Sequence, residues 1–162
     1  MLFNVDRCGV MHFGYNNNKD KCIQGGRELR ELTNERDLGI LVQDDLKVHQ
    51  QCCKAANKGN SVLGMINRTF TLKIKSIVLP LYKSLVRPHL DYAIPAWCPH
   101  YRKDVALSEQ VQPRPTKIIT GLQNMPYEHR LVALGLTTFE TKMSRGDVIQ
   151  VFKIANNLDC VS

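Results

Sequence analysis

Residues 47–70, "KVHQQCCKAANKGNSVLGMINRTF", decide how the rest of the chain is read. Cys52, Ala55, Ala56, Gly59, Leu63, Ile66 and Phe70 recur at steps of three and four, the signature of one apolar helix face. That face is rich in small residues, so a neighbouring element is expected to pack close to the backbone. Lys47, Lys54, Lys58, Ser61 and Arg68 fall on the other side.

Downstream, Ile74, Ile77, Val78, Leu81, Tyr82 and Leu85 predict a second helix with Lys73, Ser76, Pro80, Lys83 and Arg87 opposite. Pro80 inside it would cost about 3 kcal/mol in an exposed helix, so a kink is expected there. Pro88, Pro95 and Pro99 break "RPHLDYAIPAWCPHY" into short pieces. A third helix is expected from near Lys103, carrying Leu107, Val111, Ile118 and Leu122, although Pro113 and Pro115 oppose its continuity. Pro126 suits another helix start, with Leu131 and Leu134 inward. The last helix is expected from about Thr138, with Phe139, Met143, Val148, Val151, Phe152 and Ala155 inward, stopping at Asn156-Asn157.

Upstream, the period is that of strands. "GVMHFG", "KCIQGGREL" and "RDLGILVQDDL" are short apolar stretches between Asn, Gly and Asp clusters, as in an antiparallel meander. Gly25-Gly26 suits a tight hairpin, and Gly39 is expected at a bulge or a close backbone approach. The expected fold class is α+β: a short antiparallel β unit over 1–46 followed by a helical bundle over 47–162, without internal repeats.

The totals agree with a globular chain. The 162 residues are 43% hydrophobic and 23% charged, enough to build a core without suggesting disorder. No run of about 18 apolar residues occurs, and the first ten lack the build of a signal peptide. Six scattered cysteines without a secretory signal predict reduced thiols and an intracellular protein, cytoplasmic or nuclear. The net charge of +7 is uneven: residues 1–46 carry 6 basic and 8 acidic side chains, residues 47–130 carry 13 and 4, and residues 131–162 carry 3 of each. A basic middle between neutral flanks fits either a surface for a polyanion or a solubilising face.

Catalytic motifs are scarce. Cys98-Pro99-His100 and the pair Cys8 and His12 are the nearest approaches to a zinc set, and neither is completed by a second pair. No phosphate-binding loop, dinucleotide fingerprint or nucleophile elbow is present. Asp44-Asp45 lies at the strand-to-helix junction, where turn formation or capping is expected rather than metal binding. His89 and His129 are single histidines in basic surroundings, expected to be structural or superficial.

The ordered segments "FNVDRCGVMHFG", "RDLGILVQDDLK", "NSVLGMINRTF", "LPLYKSLVRPHLDYAIPAWCPH", "EQVQPRPTKIITGL", "PYEHRLVALGL" and "GDVIQVFKIANNLD" together resemble the reverse transcriptase of non-LTR (LINE-type) retrotransposons, in particular the chicken-repeat and jockey-like clades. The resemblance runs from about residue 3 to 159. It implies the end of the palm, the helical thumb and the helices that follow. The chain would then start after the palm motifs whose aspartates hold Mg2+ in the parent enzyme, so no cofactor and no polymerase activity are expected of this fragment. Asn4 and Arg7 would lie in motif D, with Arg7 where the family has lysine. A guanidinium keeps that charge but is a poor proton donor.

By the same resemblance Asp37, Leu38, Gly39 and Ile40 would form the primer-grip hairpin. The implied nucleic-acid-binding set is Gly39, Lys47, Lys54, Lys58, Arg68, Lys73, Lys83 and Arg87, and the implied partner is an RNA–DNA hybrid or template–primer duplex held weakly through phosphates. Where the family reads "QRRATK", this chain has "QPRPTK" at 112–117, which loses an arginine and gains two prolines. Two alternatives stand beside this reading: a host-adopted helical module that binds protein, and a translated repeat remnant with no function.

Overall fold

The computed structural model describes residues 4–14 and 16–158. The fold is α+β, and the chain divides into two compact units, one ending at Gln51 and the other beginning at Cys52. Among the described residues no helix is long and apolar enough to cross a membrane.

The first unit opens with a single 3-10 turn, Val5–Arg7, capped by the Asn4 side chain accepting from the Asp6 N–H at 3.1 Å. Strands follow in three separate two-stranded ladders. β2 (Ile23–Gln24) and β3 (Arg27–Glu28) pair antiparallel around Gly25-Gly26, both at positive φ, as the two-residue hairpin requires. β5 (Asn34–Asp37) and β6 (Ile40–Gln43) pair antiparallel around Leu38-Gly39. β1 (Gly9–Val10) pairs with β4 (Arg30–Glu31), and this ladder is parallel.

The expected continuous meander is therefore corrected. The two tight turns fix the pairing of their own arms, but nothing local fixes what β1 joins. Bare Gly9 lies against the Leu32 side chain, which a Cβ at that position would meet. The bulge expected at Gly39 is corrected likewise. With Asp37 paired to Ile40, Leu38 (φ 44°) and Gly39 (φ 89°) are the two turn residues, and no bulge is involved.

The second unit holds the core. α1 (His49–Thr69) buries Cys52, Ala55, Ala56, Gly59, Leu63 and Ile66, the stripe its spacing predicts. Phe70 lies just past its end and is exposed. Gly59 is the close-approach point: a Cβ there would stand 3.3 Å from Val111 Cγ1 and 3.5 Å from Leu90 Cδ2.

The second helix is not uniform. α2 (Lys75–Leu81) contains Pro80, passes into a π-helical turn at Tyr82–Val86, and resumes as α3 (Arg87–Asp91). Pro80 has no N–H to continue the ladder, and the wider turn that follows takes up the break. The buried line becomes Val78, Tyr82, Val86 and Leu90, while Leu85 and Ile74, both expected inside, are exposed.

α4 (Ile94–Trp97) is short and buries Trp97, whose indole N–H donates to the Tyr92 carbonyl at 2.7 Å. The expected third helix is split into α5 (Arg102–Glu109) and α6 (Pro113–Ile118), because Pro113 begins a helix more easily than it continues one. α7 (Tyr127–Leu134) buries Leu131 and Leu134 and ends at Gly135 with φ 62°.

α8 (Phe139–Ala155) starts with the Thr138 hydroxyl accepting from the Thr141 N–H and the Glu109 carboxylate accepting from the Phe139 N–H at 2.8 Å. Phe139 and Met143 are buried as expected. Val148, Val151, Phe152 and Ala155 are not, and this correction returns below.

Candidate nucleic-acid interface

α1 turns its stripe of small and branched residues inward, so the opposite face must meet solvent. Lys54, Lys58 and Arg68 are exposed there, with Ser61 between them. The helix contains no Asp or Glu in its 21 residues. No carboxylate on this helix offsets its cations, and such a face attracts phosphate.

The structure adds one residue that no helical spacing could supply. In α6, Arg114 donates from Nη1 to Asn60 Oδ1 at 3.0 Å, which hangs a fourth cation on the flank of α1. The two prolines that interrupt the "QPRPTK" segment also hold it. Pro115 is buried, and the Thr116 hydroxyl donates to the Pro113 carbonyl at 2.9 Å.

Other members of the expected set are placed differently. Gly39 and Lys47 belong to the first unit, and Lys47 precedes α1 instead of riding on it. Its ammonium lies 2.8 Å from Asp45 Oδ2 and its N–H donates to Asp45 Oδ1, which holds that carboxyl below its usual range. The Asp44-Asp45 pair thus serves a turn.

Lys73 is half-buried between α1 and α2, and its carbonyl accepts from the Thr120 N–H at 2.8 Å. Lys83 is exposed on the π-helical turn. Arg87 is largely buried, with Nε 3.8 Å from Asp91 Oδ2, and Lys142 contacts the same oxygen. Arg87, Asp91 and Lys142 thus form a half-buried charge cluster. Lys75, which the implied set omits, donates to the Ala133 carbonyl at 2.6 Å and so faces the last turn of α7, where a cation is favoured. Arg7 closes the first 3-10 turn, and its N–H donates to the Asn4 carbonyl at 3.0 Å.

Among the described residues no group of three or more His, Cys, Asp or Glu side chains converges as metal ligands would. Asp45 and Asp91 have cationic partners already. These residues do not fit the pair of divalent ions that the resemblance assigns to the parent enzyme, and no step is derived through them. A cleft of about 670 Å3 involving α5, α8 and the segment after α4 brings Cys98, His100, Arg102, Glu109 and Asp147 to one wall.

Its polar groups have structural duties. Glu109 accepts from the Tyr127 hydroxyl at 2.6 Å as well as from the Phe139 N–H. The Cys98 thiol points to Asp147 Oδ2 at 3.8 Å and is pushed up by burial and by that carboxylate. Cys52, fully buried on α1, is pushed up to about 12, chiefly by burial and further by the charge of Asp104. Neither is poised as a nucleophile.

No family model, curated protein or solved structure matches this chain.

Proposed function

We propose that the helical unit binds the phosphate backbone of a nucleic-acid duplex through the exposed face of α1, as the thumb-like part of a LINE-type reverse transcriptase. The observation that carries this reading is a 21-residue helix with three exposed cations, no carboxylate, and Arg114 fastened beside it. Phosphate contacts give affinity and position without sequence choice, so the partner is a duplex recognised by charge, with an RNA–DNA hybrid the first to try. Templated nucleotide addition is not assigned to these 162 residues. The aspartates of the family's palm have no counterparts in the resemblance, and incorporation of nucleotides with magnesium present would overturn that statement.

The test is a salt titration of hybrid binding. Four phosphates neutralised by Lys54, Lys58, Arg68 and Arg114 give a slope of log affinity on log salt of roughly −3 to −4. Changing Lys54, Lys58 and Arg68 together to Glu abolishes binding while the far-ultraviolet circular dichroism stays the same. A flat salt dependence, or a triple variant that binds as well as the parent, rejects the reading. A second reading, a helical module that binds protein, is favoured by one observation: the distal half of α8 carries apolar residues that nothing described covers.

A further inference from the structure

The four cations on and beside α1 are not held alike. Lys54, Lys58 and Arg68 carry their charges on long exposed side chains that, among the described residues, no hydrogen bond or ion pair steadies. Arg114 is also exposed, yet its Nη1 donates to Asn60 Oδ1 at 3.0 Å. That contact uses one N–H of the guanidinium and leaves its other donors open to solvent.

The backbone behind Arg114 is fixed as well. Pro113 and Pro115 lie on either side of it and lock their own φ. Pro115 is buried, and the Pro113 carbonyl accepts from the Thr116 hydroxyl at 2.9 Å and from Arg130 Nη1 at 3.2 Å. Arg130 is itself buried on α7, so the turn that bears Arg114 is tied to the core from within. Asn60 stands six residues after Lys54 and eight before Arg68, roughly 9 and 12 Å along the helix axis. The held guanidinium is thus anchored near the middle of the row.

We propose that Arg114 is the phosphate anchor of this face and that Asn60 is its positioning residue. The inference rests on the reading of α1 given above and divides its four cations into two kinds. A guanidinium is planar and offers parallel N–H bonds to two oxygens of one phosphodiester, whereas an ammonium acts as a mobile point charge. Arg68 has the same group but must lose its rotamer freedom on binding, which Arg114 has already lost on folding. One phosphate is therefore gripped at a fixed place, and Lys54, Lys58 and Arg68 add attraction along the backbone to either side.

Hybrid binding by the full chain, titrated with salt, tests the assignment. Arg114→Lys keeps the charge, so the salt slope should stay the same while affinity falls roughly tenfold at every salt concentration. Arg68→Lys, the same exchange at an unheld site, should change affinity by less than about twofold. Asn60→Ala frees the guanidinium without removing it and should cost about three- to tenfold, again without a change of slope. In an Arg114→Ala background, whose slope is shallower by about 0.9, Asn60→Ala should cost nothing further, because the amide acts only through the guanidinium.

Two results overturn the assignment and leave the reading of α1 in place: Arg114→Lys binding like the parent, or Asn60→Ala costing as much with Arg114 absent as with it present. A parent chain without salt-dependent hybrid binding removes both.

Discussion

The two units differ in where their stability resides. Among the described residues before Gln51, none is buried; from Cys52 to Met143 the chain contributes every buried apolar side chain described. The first unit is held by turns, by three ladders of two to four residues per strand, and by exposed pairs such as Arg27 with Asp6 at 3.1 Å. Exposed ion pairs of this kind contribute little, and two-stranded ribbons are marginal alone and leave both outer edges unpaired. The second unit has Trp97, Tyr82, Val86 and Val111 almost without solvent contact, and a polar thread through them. Gln112 accepts from the Tyr82 hydroxyl at 3.3 Å and donates to the Thr137 carbonyl at 2.7 Å. The strands thus specify local shape, whereas the helices supply the free energy.

The strongest attempt to break this contrast is a pair of truncations. Trp97→Ala should cost about 3–5 kcal/mol in urea unfolding followed at the helical band, because a large buried ring leaves a cavity. Ile23→Ala, at a position 71% exposed, should change it by less than about 0.5 kcal/mol. Equal costs would mean that the first unit has a core of its own.

A finer version uses two glycines of one helix. Gly59→Val drives methyl groups into Val111 and Leu90 and should cost about 1–3 kcal/mol. Gly64→Ala, where a Cβ meets nothing within 4 Å, should gain about 0.5–1 kcal/mol by removing backbone freedom from the unfolded chain. If both destabilise, the outer face of α1 is covered.

The smallest effects belong to the hairpin turn. Gly39→Ala forces a side chain into left-handed backbone and should cost about 1 kcal/mol. Leu38→Asn, replacing an exposed leucine at φ 44° by a residue that tolerates it, should gain a few tenths of a kcal/mol. Both should alter amide exchange across residues 34–43 and leave the urea midpoint of the helical unit unmoved.

What the sequence made legible follows the same division. The inward face of α1 was readable because helical spacing is local, as were the Gly25-Gly26 hairpin and the α+β class. The parallel joining of β1 to β4 was not, since two-residue strands twenty positions apart carry no pattern that names their partner. Periodicity also groups residues onto a face without saying whether anything covers it, which is why Val148, Val151 and Phe152 were expected inside.

The shift from Leu85 to Val86 came from the π-helical turn, one residue longer than the period assumes. Within the candidate interface, Lys54, Lys58 and Arg68 were legible from spacing. Arg114 beside Asn60 and the capture of Arg87 by Asp91 depend on contacts between distinct turns and elements.

Cys52 gives the molecule an internal clock. Its side chain has no solvent exposure, and burial pushes its thiol up to about 12, so that little thiolate forms at neutral pH. Cys8 and Cys22, in the other unit, are only half-covered. A single alkylating reagent therefore records two events in one sample. With each labelled site located by peptide mapping, so that half-covered Cys53 and Cys98 of the helical unit are set aside, Cys8 and Cys22 follow the ladders, and labelling of Cys52 dates the moment the helices come apart.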